Sequence, residues 1–502
     1  MTTVHKSTSN NKIKLAIRGN LMVAEPITPD LLRVIDNVAS FTYRYRDDRG
    51  RMQSEKQALY RICNDGSLEL MAGLRKRVED VLKSVQCKVE VKYIDPKIFS
   101  DQAAMHLLSQ QDIDDLNTRP DQIDVIGLVV DSPEGFIVEA PTGWGKSFVV
   151  SKICRILPKI NIAVLAPGVD IVKTLYKRIR NVIPDVGIIG GGNRLLKRVT
   201  VCTMQSVDLL AKHHWDLLLF DEAHRAGGAA ISESLADVFT EAKCVGFTAS
   251  PHGRTDGADK VVEALFGPIA YKVSYAQGVE RGSVVPIQVH MYSVERGPQL
   301  TSTSSYRANL YGIWNNLLRN KLIAKKAMEA LASSDDAQVL IMVETAEHAI
   351  VLKELLPDFE VVFATASKKK TVQRAWELGV KLKKGAMSSE YRDYLRRQFE
   401  KREIRAAIAT GVWNTGVDFC QLTHLIRAEG LASKIRSIQT PGRLSRLADG
   451  KEMGILIDFD DKFNPTLKRR ADERRREYCR LGWEIIDKSD ASVASKYAWD
   501  HR

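Results

Sequence analysis

Residues 136–147 read FIVEAPTGWGKS, in which an apolar strand gives way to a glycine-containing loop and then to a helical run. Glycines let such a loop approach phosphates closely, and the N–H groups that begin a helix attract anions. Lys146 offers a point charge to the terminal phosphates, and Ser147 can ligate magnesium. By itself this pattern predicts nucleotide binding and no particular reaction. Because Ala140 stands where the first glycine of the usual pattern lies, further motifs are needed to support it. The loop residues predicted to bind the nucleotide are Thr142, Gly143, Gly145, Lys146 and Ser147.

A pair of carboxylates follows a second apolar strand, within the stretch WDLLLFDEAH at 215–224. Ligands gather at the carboxyl ends of strands in parallel sheets, so this pair and the glycine loop can meet over one nucleotide. Asp221 would hold a hydrated magnesium ion, and Glu222 would orient or deprotonate the attacking water. A surface acidic turn is the alternative, although a run of apolar residues leading into two carboxylates is an unusual surface pattern.

Together these segments resemble the superfamily 2 helicases, and further matching segments follow in the same order. The resemblance implies that Gln122, in RPDQ at 119–122, hydrogen-bonds adenine, although a polar helix start explains that segment equally well. It also implies that VLAPG at 164–168 and VCTMQS at 201–206 grip the nucleic-acid backbone. The residues expected to make those contacts are Pro167, Thr203 and Gln205. TASP at 248–251 would link hydrolysis to domain movement.

The C-terminal half contains segments similar to those of the family's second lobe. In QTPGRLSR at 439–446, Arg443 and Arg446 lie three apart and would act as arginine fingers on the γ-phosphate, with Gln439 helping to position water. A solvated basic helix is the alternative. In the stretch 409–418, Thr410 would contact nucleic acid and Asp418 would bind the ribose hydroxyl. Hydrolysis is then expected to depend on closure of the two lobes.

The predicted fold class is α/β, with two tandem RecA-like parallel-sheet lobes preceded by a small α+β N-terminal domain. Strands and helices alternate from about residue 107 to 285 and again from about 321 to 458. The predicted boundaries are a substrate-recognition domain at 1–105, a first lobe at 106–286, a linker at 287–320, a second lobe at 321–460 with a basic insertion at 367–386, and a C-terminal helical extension at 461–502.

The N-terminal domain carries no catalytic constellation, and its layout resembles the substrate-recognition domain of the phage UvsW-type helicases. Aromatic and basic side chains alternate there as they do on nucleic-acid surfaces. These residues are Tyr43, Arg44, Tyr45, Arg46, Arg49 and Arg51. A strand that buries its tyrosines would explain the same alternation.

Charge indicates a polyanionic partner, because the chain has a formal net charge of +12 and a pI near 9.2. The excess is concentrated at 367–386, where Lys368, Lys369 and Lys370 are predicted to contact nucleic acid. A solvated basic segment is the alternative. The arginines between 469 and 476 alternate with acids, which predicts an exposed, self-paired helix.

The seven cysteines are scattered without metal-ligand spacing, which predicts free thiols and no structural metal. The sequence contains neither an apolar signal core nor a stretch long enough to cross a bilayer. We therefore expect no membrane partner and a cytoplasmic location, which is the host cytoplasm if the chain is phage-encoded.

Three functions are compatible with these patterns, and ATP and Mg²⁺ are the expected cofactors. The leading hypothesis is an ATP-dependent DNA helicase or translocase acting on branched or forked DNA, with single-stranded DNA as a further target, in recombination, repair or replication restart. An RNA helicase of the same superfamily is the second, because grips on a sugar-phosphate backbone say little about the sugar. The third is an ATP-gated clamp that binds nucleic acid without unwinding it.

Overall fold

The computed structural model describes residues 12–46, 51–94, 118–249, 258–295, 297, 304–413, 419–432 and 441–489. These residues fold into two compact units. The first contains the described residues up to Lys272, apart from Pro141–Trp144. The second contains those four residues and the described residues from Val273 onward.

The first unit begins with a small α+β domain. Its strands are β1 Lys12–Arg18, β2 Leu21–Glu25, β3 Ser40–Arg46, β4 Met52–Ala58, β5 Tyr60–Ile62, β6 Leu68–Met71 and β7 Lys88–Tyr93. Five of them form a sheet in the order β5-β6-β2-β1-β7, and β3 pairs with β4 in a separate antiparallel ribbon. Strand β1 follows the two-residue period, since Ile13, Leu15 and Ile17 are buried. The helices are Pro29–Val38 and Arg75–Ser84, with a 3₁₀ turn at Ala72–Leu74.

This domain packs directly against the rest of the first unit, at the helix Ala258–Phe266 and at the turn after the helix Ala229–Val238. Arg77 binds Glu263 through two hydrogen bonds of 2.6 and 2.7 Å. The backbone N–H of Asn20 donates to the carbonyl of Thr240 at 3.0 Å. A Cβ added to Gly73 would lie 2.2 Å from the carbonyl oxygen of Glu263, so only glycine allows this approach. The two parts also share one continuous hydrophobic core.

The remainder of the first unit is a sheet flanked by helices, and all of its strands are parallel except one antiparallel edge strand. Its strands are β8 Phe136–Glu139, β9 Ile162–Ala166, β10 Val186–Gly190, β11 Asn193–Leu195, β12 Val199–Thr203, β13 Leu217–Asp221, β14 Lys243–Thr248 and β15 Ile269–Lys272. The α-helices are Pro120–Asp131, Lys146–Ile156, Val169–Arg180, Ala229–Val238 and Ala258–Phe266, and 3₁₀ helices span Met204–Leu210 and Ala223–Gly227. The sheet order is β11-β10-β12-β9-β13-β14-β8-β15. Strands β13, β14 and β8 are therefore neighbours, and their carboxyl ends lie side by side.

The second unit contains another parallel sheet. Its strands are β16 Ile287–Val294, β17 Val339–Met342, β18 Glu360–Val362, β19 Ala406–Ala409, β20 His424–Arg427, β21 Gly454–Asp461 and β22 Glu484–Lys488, in the order β18-β19-β17-β20-β21-β16-β22. The α-helices are Tyr275–Glu280, Ser305–Arg307, Leu317–Ala332, Ala346–Leu355, Lys369–Glu377, Ser389–Glu400 and Pro465–Arg480. A π-helix spans Ala308–Trp314, and 3₁₀ helices span Gly411–Trp413 and Pro441–Ser445. Both units thus confirm the predicted α/β class.

Two predicted boundaries are wrong. The proposed linker at 287–320 contains β16, which lies between β21 and β22 and buries Ile287, Val289 and Met291 in the core. The proposed helical extension at 461–502 contains a helix, but also β22, which pairs with β16. Strands β16 and β22 therefore belong to the second sheet, and the apolar side chains of β16 help to form its core.

The second unit also buries a charged cluster that the sequence placed on the surface. The guanidinium group of Arg474 donates two hydrogen bonds to Asp458, at 2.8 and 2.9 Å, and both side chains are fully buried. Tyr478 donates to Asp458 at 2.7 Å, and Arg427 donates to Tyr478 at 2.8 Å. Burial alone would raise the pKa of Asp458, but the charges of Arg474 and Arg427 hold it below its usual value. Arg474 is thus not part of an exposed helix face.

Among the described residues, no helix is both long enough and apolar enough to span a bilayer. The seven cysteines, all of which lie in described parts of the chain, are free thiols.

Replacing the buried His348 by Gln should weaken the dependence of stability on pH. His348 Nε2 lies 2.9 Å from Asn320 Oδ1, and burial, with Arg319 as a second cause, lowers its pKa to about 3. An unfolded imidazole titrates near pH 6.5, so between these values the unfolded chain binds more protons and stability falls as pH falls. Between about pH 7 and about pH 5, wild type should lose about 2 kcal/mol more unfolding free energy than His348→Gln.

The measurement is urea unfolding of the full chain at the two pH values. An equal loss of stability in His348→Gln and wild type would contradict the assignment.

Candidate active site

The glycine loop follows β8 at the carboxyl edge of the first sheet. The N–H of Ala140 donates to the carbonyl of Thr248 at 3.0 Å, which ties the loop to β14. Gly145 has φ of 103°, in the left-handed region, and the helix Lys146–Ile156 begins immediately after it. Lys146 Nζ donates to the carbonyl of Ala140 at 2.9 Å. The lysine therefore spans the loop beside a helix N-terminus, an arrangement that suits an anionic ligand.

Gln122 lies against this loop. A Cβ added to Gly145 would lie 2.6 Å from Gln122 Nε2, so a larger residue cannot be accommodated without moving the amide. Gln122 is buried near the start of the helix Pro120–Asp131, and its Oε1 accepts from the N–H of Arg119 at 3.3 Å. Both interpretations of the RPDQ segment are thus compatible with the structure: Gln122 caps a helix and also lies beside the loop.

Ser147 and Asp221 converge from neighbouring parts of the sheet edge. Ser147 Oγ lies 3.4 Å from Asp221 Oδ2, and Asp221 Oδ1 accepts from the N–H of Glu222 at 3.1 Å. Magnesium prefers oxygen ligands and is held in proteins by one or two carboxylates together with phosphates and water. The hydroxyl and carboxylate therefore fit a magnesium ion beside a bound polyphosphate.

The electrostatics of Asp221 favour a cation. Burial, followed by repulsion from Glu222, raises the pKa of Asp221 to about 6, and Lys146 only partly offsets these effects. A buried carboxylate with a like-charged neighbour is more stable when a positive ion approaches it.

Glu222 is held in a strained backbone conformation, with φ of 60° and ψ of 47°. Its side chain is 27% exposed, and Oε2 lies 3.5 Å from Nδ1 of His224. The same Nδ1 lies 3.0 Å from Thr248 Oγ1, and both His224 and Thr248 are buried. His224 thus joins the acidic pair to the end of β14. Sequence reasoning missed this contact, although the adjacency of strands β13 and β14 implies it.

The predicted nucleic-acid grips of the first unit lie on neighbouring strands. Pro167 follows β9, and Thr203 ends the adjacent β12. Gln205 Nε2 donates to the carbonyl of Pro167 at 3.0 Å, and Thr203 Oγ1 donates to Ser206 Oγ at 3.0 Å. The structure therefore brings together three residues that lie up to 38 positions apart.

Three of the candidate residues of the second unit, Arg443, Arg446 and Thr410, lie in described parts of the chain. Arg443 is buried in the 3₁₀ helix Pro441–Ser445 and donates to the carbonyl of Trp413, with its guanidinium 6.0 Å from the ring of Phe419. The N–H of Arg446 donates to the carbonyl of Arg443 at 3.3 Å. Thr410 follows β19, and its N–H donates to Val362 at 3.0 Å. Asp418, Gln439, Ser250, Pro251 and Arg49 lie outside the described residues.

The three predicted lysine contacts are exposed on the second unit. Lys368 Nζ lies 3.7 Å from Glu347, and Lys369 and Lys370 begin the helix Lys369–Glu377. In the N-terminal ribbon, Tyr43 is half-buried and donates to Glu55 at 2.7 Å. Within the described ranges, no group of three or more His, Cys, Asp or Glu side chains is arranged to hold a metal ion.

Similarity to known proteins agrees with this geometry. The family model described as "Type III restriction enzyme, res subunit" matches residues 110–253. The chain is 26% identical over 389 residues to the "DNA 3'-5' translocase XPB2" of Sulfurisphaera tokodaii, which covers 72% of this chain and 85% of the relative. It is 23% identical over 295 residues to the "ATP-dependent DNA helicase uvsW" of Enterobacteria phage T4, covering 57% and 54% of the two chains. The chain is thus similar to two proteins that are named as a DNA translocase and a DNA helicase.

The fold of this chain is also found in a fragment of a putative HsdR subunit of a type I restriction enzyme from Vibrio vulnificus YJ016. The two chains superimpose with a TM-score of 0.50 at 16% identity, over 90% of this chain and 91% of the fragment. At that identity the likeness concerns the fold alone. It supports the assignment of the parallel sheets as RecA-like lobes.

Proposed function

We propose that this protein is a helicase or translocase that hydrolyses ATP with Mg²⁺ and couples hydrolysis to movement along DNA, remodelling branched or forked DNA. The observation that carries the proposal is the convergence of Lys146, Ser147 and Asp221 at the carboxyl ends of neighbouring strands. The two relatives described above are named as a DNA translocase and a DNA helicase, which supports DNA as the polymer.

The nucleotide-binding roles follow from the loop. Lys146 would exchange its hydrogen bond to Ala140 for the terminal phosphates, and the N–H groups after Gly145 would bind phosphate oxygens. Gln122 would contact the adenine edge. Ser147 and Asp221 would hold Mg²⁺, which neutralises charge that develops on the phosphates when it is bound.

The hydrolytic roles fall to residues of both units. Glu222 would accept a proton from the attacking water, because its partly exposed carboxylate adjoins the metal-binding Asp221. Arg443 and Arg446 would stabilise charge on the transferring phosphoryl group, with Gln439 positioning water and Asp418 binding the ribose. This role requires Arg443 to exchange its bond to the Trp413 carbonyl for the phosphate.

The DNA contacts are proposed at the ends of strands. Pro167, Thr203, Gln205 and Thr410 would hold the sugar-phosphate backbone through main-chain groups and short polar side chains. Such contacts position a strand without reading its sequence. Binding should therefore depend on salt and only weakly on sequence.

The test compares ATP turnover of the full chain, at one salt concentration, with single-stranded DNA, single-stranded RNA, plain duplex and a forked duplex. We expect DNA to stimulate turnover more than RNA, and the forked duplex to lose a labelled strand when ATP is present.

Each contrary result points to a different error. Equal or greater stimulation by RNA would favour the RNA helicase hypothesis. Nucleic-acid binding without stimulated turnover would favour the ATP-gated clamp. Stimulation equal for forked and plain duplex, with no strand released, would remove the preference for branched DNA.

A further inference from the structure

A strongly basic segment of the second unit also exposes large aromatic side chains. Residues 367–401 contain eleven basic and four acidic side chains, in a chain with a formal net charge of +12. Trp376 and Tyr394 are 55% and 53% exposed in this segment. Aromatic side chains of this size are usually buried for most of their surface. Their exposure among lysines leaves both rings accessible to a ligand.

The segment is fastened to the core rather than being a loose loop. Ala375 and Val380 are buried, and the N–H of Val380 donates to the carbonyl of Ala375 at 2.9 Å. The returning chain bonds to the segment after β18: Ala366 N–H donates to Gly385 at 2.8 Å, and Met387 N–H donates to Ala364 at 2.9 Å. The exposed side chains therefore project from a folded scaffold.

A tight turn presents two of the lysines. Lys383 and Ala386 exchange backbone hydrogen bonds of 2.8 and 3.0 Å, and the residues between them, Lys384 and Gly385, have φ of 50° and 79°. Two positive φ values in a two-residue turn are typical of a type I′ hairpin. Lys383 and Lys384 are exposed at its tip.

The aromatic rings and the lysines are joined by a chain of contacts. Trp376 Nε1 donates to the carbonyl of Leu382 at 3.4 Å, and the preceding Lys381 places Nζ 5.2 Å from the ring centre of Tyr391. The ring of Tyr391 stacks on that of Tyr394, with centres 6.0 Å apart and planes 14° apart. We call this set the basic-aromatic surface. Its members are Lys369, Lys370, Trp376, Lys381, Lys383, Lys384, Tyr391 and Tyr394.

The acidic residues of the segment are engaged locally. Glu377 accepts from Gln373 at 3.1 Å, Asp393 lies 3.6 Å from Arg396, and Glu400 accepts from the same arginine at 2.6 Å. Glu390, at the start of its helix, is exposed and hydrogen-bonded to Ser389 at 3.5 Å. The net field of the surface is therefore positive and complementary to a polyanion.

We propose that the basic-aromatic surface binds single-stranded nucleic acid, with Trp376 and Tyr394 stacking on unpaired bases and the lysines contacting phosphates. Stacking on aromatic faces combined with a positive surface is how proteins bind single strands without sequence preference. A duplex hides the faces of its bases and would use the lysines alone. The proposal rests on the proposed function in one respect, because remodelling of forked DNA supplies the single strand.

The test measures binding of the full chain, without ATP, to a fluorescent oligothymidine of about 20 nucleotides and to a blunt duplex of the same length. We expect Trp376→Ala with Tyr394→Ala to weaken single-strand affinity by roughly 30- to 10⁴-fold, since each of the two stacked bases contributes about 1–3 kcal/mol. Duplex affinity and ATP turnover without DNA should stay within about twofold of wild type. Trp376→Phe should retain most of the single-strand affinity, because a ring remains.

Two further variants separate stacking from charge and from general surface effects. Tyr311→Ala removes a ring that is 49% exposed elsewhere in the same unit and should leave binding unchanged. Replacing Lys369, Lys383 and Lys384 by Gln should weaken both single-strand and duplex binding and reduce the salt slope by about 0.7 per lost contact to a single strand.

Unchanged single-strand affinity in the double aromatic variant would overturn the proposal, and so would an equal loss for the duplex. These results can be told apart from a failure of the proposed function. If DNA does not stimulate turnover in wild type, but the double variant still loses single-strand affinity, the binding role of the surface is supported and the proposed helicase function is contradicted. Thermal unfolding of each variant checks that it is folded.

Discussion

Replacing Glu222 by Gln should lower ATP turnover by roughly 10²- to 10⁴-fold while leaving ATP binding intact, since a positioned general base contributes about that factor. Gln has the same shape but cannot accept a proton at neutral pH. The backbone N–H of residue 222 would still donate to Asp221, and Ser147, Asp221 and Lys146 would be unchanged. The variant should therefore lose steady-state ATP turnover but keep its affinity for a fluorescent ATP analogue.

The matched control is Glu233→Gln, which removes an exposed carboxylate from a helix of the same unit. It should keep both turnover and binding. Turnover within about threefold of wild type in Glu222→Gln would contradict the role proposed for Glu222, and loss of nucleotide binding would place this carboxylate in binding instead.

The second large effect is on stability. Arg474→Met should lower the free energy of unfolding by about 3–5 kcal/mol, because it removes the bidentate hydrogen-bonding partner of the fully buried Asp458 carboxylate. Tyr478 and Arg427 would then be the remaining groups near that charge. Urea unfolding of the full chain, followed by fluorescence, measures the change.

The same helix provides the control. Arg475 pairs with Asp487, whose side chain is 70% exposed, so Arg475→Met should cost less than about 1 kcal/mol. Adding Asp458→Asn to Arg474→Met should recover part of the loss, because the uncompensated charge is removed. Equal destabilisation by the two arginine substitutions would show that burial of the Asp458 pair is unimportant.

The fold class and the proximity of Ser147 to Asp221 could be predicted because their signals are local. Apolar strands that run directly into 140–147 and into Asp221 identify both the strands and the sheet edge where they end. The rule that parallel strands collect ligands at their carboxyl ends then brings Ser147 and Asp221 together, as the structure has them.

The segments that were misassigned carry polar residues whose partners are distant in sequence. Strand β16 alternates apolar residues with Gln288 and His290, and β22 is a five-residue strand with acids on both sides of its apolar pair. Arg474 resembles its exposed neighbours in sequence, yet it is buried because Asp458, 16 positions earlier, lies opposite it. Sequence periodicity cannot reveal such pairings, since they depend on which strands become neighbours.

The close contacts between the N-terminal domain and the rest of the first unit determine how the two parts can move. Direct contacts of Gly73, Asn20 and Arg77 prevent the two parts from moving independently. DNA bound by the N-terminal domain would therefore stay at a fixed distance from Pro167 and Gln205, because all three belong to one compact unit. In a variant with Cys420 and Cys479 replaced by Ser, a reporter dye on the half-buried Cys63 would track the orientation of the whole first unit when ATP is added.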